Sequence, residues 1–175
     1  MLAALLVCAM VALTRAANGD TGKEAVMTGS SGKNLTECPT DWKMFNGRCS
    51  LFNPLQLHWA HAQISCMKDG ANLASIHSLE EYAFVKELTT AGLIPAWIGG
   101  SDCHVSTYWF WMDSTSMDFT DWCAAQPDFT LTECCIQINV GVGKCWNDTP
   151  CTHLHASVCA KPATVIPEVT PPSIM

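Results

Sequence analysis

Three short stretches carry side chains able to do coordination chemistry: Gln126-Pro127-Asp128, Glu133, and Asn147-Asp148 directly after Trp146. Gln126, Asp128, Glu133, Asn147 and Asp148 all present hard oxygens, two as amide carbonyls and three as carboxylates. Calcium takes about six to eight oxygens, with backbone carbonyls or water completing the shell. Three formal negative charges suit a divalent cation at an extracellular site. A cis bond ahead of Pro127 would turn both flanking side chains to one side. Singly, each residue is an ordinary polar loop position in an acidic protein. As a set, they read as one calcium site.

Cysteines frame these donors. Cys134 and Cys135 follow Glu133, and Cys145 and Cys151 bracket Asn147-Asp148. Of eleven cysteines, Cys8 lies in an apolar N-terminal run, 1–13, that reads with Ala16 and Ala17 as an export signal cleaved near residue 17. Ten remain, all between Cys38 and Cys159. Evenness plus export argues for five disulfides in an oxidising compartment. Zinc is the weaker reading, because no C-x-x-C pair has a second pair at finger-like spacing. The neighbours Cys134 and Cys135 cannot easily join each other, so each should reach a different part of the chain.

The rest of the chain must position this region. Residues 18–37 are polar and Gly/Ser/Lys-rich, a flexible leader with a glycosylation sequon at Asn34. Residues 162–175 form a Pro-rich tail expected to be disordered. Between them, a first helix is expected over 58–68. Its apolar positions fall in two stripes, Ala60, Ile64 and Met67 beside Trp59, Ala62 and Cys66. A second begins at the capping box Ser78-x-x-Glu81, carries Phe84, Leu88 and Ala91 inward, and stops at Gly92. Strands are expected at 96–98, 108–111, 135–140, 144–147 and 157–160, with the aromatics of 108–111 read as core. Helices first and strands after give an α+β domain. The stretch from 99 to 134 has little periodicity, and a long irregular segment in a compact domain is usually functional.

At this point a resemblance becomes specific. Cys38-Pro-x-Asp-Trp-x-x-Phe-Asn-Gly-Arg-Cys49, Ala71-Asn-Leu-Ala-Ser-Ile76, Trp97-Ile-Gly-Gly100, Gln126-Pro-Asp128 and Trp146-Asn-Asp148 resemble the C-type lectin domain, in its order, over about residues 38–161. The ten-cysteine set with its Cys134-Cys135 doublet resembles the calcium-dependent fish type II antifreeze proteins of the herring and smelt kind. That likeness implies two helices, two small antiparallel sheets and a long disulfide-stapled loop region. It also implies the bridges Cys38–Cys49, Cys66–Cys159, Cys103–Cys134, Cys123–Cys145 and Cys135–Cys151, which sequence alone leaves open among many pairings.

The resemblance poses a choice of ligand. Gln-Pro-Asp is the version associated with galactose, so a calcium-dependent galactose-type lectin is the alternative reading. Galactose-type sites usually add a Trp and a Gly-rich loop for stacking, and Phe129-Thr130-Leu131-Thr132 offers neither. It suits ice better. Thr130 and Thr132 in an extended segment point to one side about 6.6 Å apart, each with a hydroxyl to join a water lattice and a stiff β-branched side chain. Asp128, Thr130, Thr132 and Glu133, extended by Thr149, form the expected ice-binding patch.

Other classes are excluded. The net charge is −7, and no Lys/Arg cluster offers itself to nucleic acid. The apolar N-terminal run is too short to span a membrane. A glycosidase pair needs one carboxyl kept protonated in an apolar niche, which five crowded ligands oppose, so no enzyme is expected. His153-x-His155 lacks a third zinc ligand. A non-catalytic protein-binding module remains the third reading; it would need an exposed apolar patch or a swapped loop, neither legible. A monomer secreted to blood plasma is expected.

Overall fold

The protein is described by a computed structural model covering residues 35–90 and 92–167. The expected export signal (1–17), residues 18–34 of the leader, Ala91 and residues 168–175 of the tail lie outside the described residues. The element order is β1 (Leu35–Glu37), β2 (Lys43–Phe45), β3 (Arg48–Leu57), α1 (Trp59–Lys68), β4 (Asn72–Leu73), α2 (Leu79–Leu88), β5 (Ala96–Ser101), β6 (Phe110–Trp111), β7 (Cys135–Val140), β8 (Cys145–Thr149), β9 (His155–Pro162) and β10 (Thr164–Ile166).

The strands make two sheets. The larger has eight strands in the order β2-β3-β9-β5-β7-β8, with β4 also on β9 and β6 on β5. All its pairings are antiparallel except β5 with β9. The smaller sheet is the ribbon β1–β10, Leu35 opposite Ile166. Residues 35–37, expected in the flexible leader, and 164–166, expected in the disordered tail, pair with each other in this ribbon. Strand β9 likewise runs on to Pro162.

Three early strands, β2, β3 and β4, escape the sequence pattern. β3 is ten residues long but contains Pro54, which demotes a run as a strand. The register shifts between Asn53 and Leu57, so the proline sits where pairing is interrupted. β2 and β4 are three and two residues long, too short for any period to show.

Each helix is anchored by a few residues. In α1 the stripe Trp59, Ala62 and Cys66 turns inward, while Ile64 and Met67 of the other stripe are 51% and 60% exposed. The Cys66–Cys159 bridge to β9 decides which stripe wins. Gln63 is buried too, donating to Asn72 Oδ1 at 2.7 Å and accepting from Leu73 N at 2.8 Å. Ser78 caps α2 by accepting from Glu81 N at 3.1 Å. The helix ends at Leu88, earlier than expected, and its buried face is Glu81, Tyr82 and Val85, with Phe84 and Leu88 half-buried beside it.

The main core joins Ile98, Ile136, Ile138, Trp146 and Val158 across β5, β7, β8 and β9. Two glycines allow this closeness. A Cβ on Gly100 would collide with Ile136 Cδ1, and one on Gly99 would sit 2.5 Å from the Leu73 carbonyl oxygen. The five bridges are Cys38–Cys49, Cys66–Cys159, Cys103–Cys134, Cys123–Cys145 and Cys135–Cys151, the pairing that the resemblance implies.

The long segment 102–134 contributes only β6 to the sheet. It is held by Cys103–Cys134, Cys123–Cys145 and aromatic packing. Phe119 and Trp122 sit edge-on to Trp146 at 5.8 and 5.7 Å. Backbone bonds Cys123 N to Trp146 O and Trp146 N to Asp121 O, 2.9 and 2.8 Å, fasten it to β8. The aromatic run expected in the core divides: Trp111 is buried, but Tyr108 and Phe110 are exposed.

Candidate metal centre

Strand β8 carries the donor pair Asn147-Asp148, and Asp148 lies opposite Ile136 of β7. Asp148 is 0% exposed. Its Oδ1 accepts from Asp128 N at 3.3 Å, while its Oδ2 is buried with no hydrogen-bond partner among the described residues. A buried carboxylate oxygen without a donor is costly to keep. A cation removes that cost.

The segment 126–133 brings the other donors to Asp148. The Gln126–Pro127 peptide bond is cis. Gln126 Oε1 accepts from Asp128 N at 3.1 Å. Asp128 Oδ1 accepts from Thr130 N at 3.0 Å, and Thr130 O accepts from Glu133 N at 2.8 Å. These local bonds fold the segment into a tight turn, so Asp128 and Glu133 converge despite their separation. Carboxylate oxygens of Asp128, Glu133 and Asp148 all lie within 4.8 Å of one another. Asn147 Nδ2 donates to the Asp148 carbonyl oxygen at 2.5 Å, leaving Oδ1 as the donor it has to offer.

The surroundings of the three carboxyls move them in different directions. Burial pushes the Asp148 carboxyl above its ordinary value, with the Asp128 charge adding to the effect. Burial likewise raises Glu133, followed by repulsion from Asp128 and Asp148. Asp128 goes the other way, held low by hydrogen bonds from the Thr130 hydroxyl and amide. Hard oxygens from two stretches, three of them anionic, are the donor chemistry of calcium rather than of a soft metal. The nearby sulfurs of Cys103, Cys134, Cys135 and Cys151 are all spent in bridges.

Thr130 and Thr132 are both exposed on this turn. Thr149 is not, which corrects its expected place in the surface patch. It is 5% exposed, and its hydroxyl lies 3.0 Å from His153 Nδ1. Paired with Cys135, it faces into the structure rather than the solvent. Leu131, between the two threonines, is 96% exposed. The sequence reading passed over it because an apolar residue is assumed to point inward; its place inside the ligand-bearing turn was the available signal.

A model of the lectin C-type domain matches residues 55–161. The chain belongs to the C-type lectin domain family. This C-type lectin domain is 99% identical, over 175 residues and 100% of both chains, to the type-2 ice-structuring protein of Osmerus mordax. Among solved structures, it resembles a herring type II antifreeze protein at a TM-score of 0.70. The two share 85% identity, covering 71% of this chain and 98% of that one. A Ca2+-dependent type II antifreeze protein, in its Ca2+-free form, gives 0.69 at 79% identity, covering 71% and 99%. In this C-type lectin domain the carboxylate cluster runs from the buried Asp148 of β8 through the half-buried Glu133 to the exposed Asp128.

Proposed function

We propose that the chain is a secreted, calcium-dependent antifreeze protein that adsorbs to ice and lowers the freezing point of the blood plasma. It acts as a monomer and by binding alone, not as an enzyme. Gln126, Asp128, Glu133, Asn147 and Asp148 are the residues that hold the ion. The observation that carries this reading is the convergence of three carboxylates from two stretches, one with an orphaned buried oxygen, around a turn bearing Thr130 and Thr132. Bound calcium supplies neutralising charge and a cross-link between β8 and the turn.

The residues of the turn do the rest. Asp128 and Glu133, once fixed at its two ends, hold the backbone of 129–132 to one shape. The threonine hydroxyls then sit at set positions and the methyl groups shed weakly held water. Stiff β-branched side chains lose little entropy on docking. Ice offers no charge to attract, so shape and rigidity must supply the affinity. Growth of single ice crystals in the protein tests this directly: faceted crystals are expected with calcium, and unshaped ones in excess EDTA.

A second reading is kept alive by one observation. Phe129, next to Asp128, is half exposed and offers a face on which a sugar ring can stack. If the site takes a galactose-type sugar, the protein will bind immobilised galactose with calcium and be released by free galactose. Retention that calcium does not support would remove this alternative.

A further inference from the structure

The turn that carries Thr130 and Thr132 has a second segment fastened beside it. Residues 102–108 leave the end of β5 and are pinned at Cys134, the residue after Glu133. Cys103 bridges to Cys134, and Asp102 N donates to the Cys134 carbonyl at 3.2 Å. Asp102, itself buried, accepts from Thr107 N through Oδ2 at 2.8 Å. Tyr108 N donates to the Val105 carbonyl at 3.0 Å. These bonds close 103–107 into a loop whose place beside the turn is fixed by a disulfide.

A hollow of about 100 Å³ separates loop from turn. Ser106 lines it from the loop, and Phe129, Thr130 and Leu131 line it from the turn. Ser106, Thr130 and Leu131 are all exposed. Small-molecule sites usually measure about 300–1,000 Å³, whereas this hollow has room only for a few waters of about 30 Å³ each. Neither 103–107 nor 129–132 contains Asp, Glu, Lys or Arg. The two carboxylates in the lining are already engaged: Asp102 holds Thr107 N, and Glu133 is a proposed calcium ligand. A charged partner therefore finds no counter-charge on these walls. Water does find partners, because Ser106 and Thr130 each bring a hydroxyl that donates once and accepts twice.

We propose, resting on the ice-binding reading of the turn, that the contact surface for ice crosses the Cys103–Cys134 bridge and takes in Ser106. The hydroxyls of Ser106 and Thr130 hold the waters of the hollow in place, and those waters join the lattice of the crystal face that the turn meets. Leu131 sheds its weakly held water beside them. Calcium orders one wall, and a disulfide holds the other. A surface carried by two such segments is wider than the turn alone, which matters for a partner that offers no charge to attract.

Freezing-point depression of the calcium-loaded full chain, read at equal concentration for Ser106→Lys, Ser106→Thr and Thr130→Ala, tests the proposal. Ser106→Lys puts a long charged side chain over the hollow and is expected to act at least as strongly as Thr130→Ala, several-fold below the parent. Ser106→Thr keeps the hydroxyl and is expected to match the parent. Calcium affinity should stay within about twofold of the parent in both Ser106 variants, since Ser106 shares no ligand atom. Thr164→Lys adds the same charge on the separate β1–β10 ribbon and should leave the depression unchanged. Parental activity in Ser106→Lys or in Thr130→Ala overturns the proposal. So does a Ser106→Lys loss that is matched by lost calcium affinity or by an equal loss in Thr164→Lys, or a Ser106→Thr variant as weak as Ser106→Lys. A parent that does not depress freezing removes the ice-binding reading itself, and the role of Ser106 with it.

Discussion

The sheet and the 102–134 segment are built on different physics. In β5, β7 and β9 most side chains are buried, and the strands interlock through residues such as Ile98, Ile136 and Val158. Burial of apolar surface there stabilises by about 25 cal/mol per Å² and needs nothing from outside the chain. The segment 102–134 leaves Tyr108, Phe110 and Leu131 in solvent and closes on a cluster of carboxylates. It is held by two bridges and a few tryptophans and, under the proposed function, by a calcium ion as well. The fold is thus self-sufficient where it supports and dependent where it acts, and the two halves respond to different perturbations.

Removing calcium is the sharpest way to separate them. In excess EDTA, ice shaping should be abolished while far-ultraviolet circular dichroism stays close to that of the loaded protein. A collapse of both signals together would show that the sheet leans on the ion. The converse experiment is Ile136→Ala. It should cost about 2–5 kcal/mol of stability by opening a cavity in the core. The loss, measured by thermal unfolding, should be similar with and without calcium.

Asp148→Asn cuts across the comparison, because this residue lies in β8 yet serves the turn. Calcium affinity should fall roughly 100-fold, at or beyond the upper end for supporting groups. The calcium-free protein should respond in the opposite sense. Asp148 and Glu133 have carboxyls raised by burial, so they favour the ion-free fold below their ordinary range, and that contribution is lost as pH rises through their raised values. The parent without calcium should therefore lose stability as pH rises out of the acid range, where Asp148→Asn loses less. Calcium binding has the reverse dependence, weakening as pH falls. Urea unfolding across that range with and without calcium reads both trends.

How far the sequence foretold these two regions differs for the same reason. In the turn, coordination chemistry restricts residue types, so Gln126, Asp128, Glu133, Asn147 and Asp148 were singled out before any geometry, and the structure brings the carboxylates of three of them together. Strands such as β7 were legible because Ile136, Ile138 and Val140 alternate in a long enough run. β2 and β4 are too short to carry a period, and Pro54 masked β3. The stripe of α1 that faces inward was undecidable from spacing, since two stripes competed and a covalent bond from Cys66 settled the matter. Thr149 was misjudged because adjacency to a ligand in sequence was taken for adjacency on the surface. In β8, that neighbour is buried with its hydroxyl against His153.

Within the turn, Thr130→Ala and Thr132→Ala should each weaken ice shaping several-fold while leaving calcium affinity within about twofold of the parent, as expected of sites that share no ligand atom. Microscopy of growing crystals and calcium titration, run on the same samples, separate these effects. If both variants shape ice like the parent, the contact surface lies elsewhere on the calcium-ordered segment, with Leu131 the first residue to examine.

The smallest effect is expected at the β1–β10 ribbon. All six of its residues are exposed, and its three pairs stand apart from the eight-stranded sheet. A two-stranded ribbon is marginal on its own in water, so it takes its order from the ends it joins rather than lending stability to them. Truncation after Ala163 should accordingly cost less than about 1 kcal/mol and leave ice shaping intact. Ala163 itself should be kept, since its N–H donates to the Gly47 carbonyl at 2.8 Å and ends the sheet at β3. A loss of several kcal/mol on truncation would place the ribbon with the self-sufficient sheet instead of with the dispensable margins.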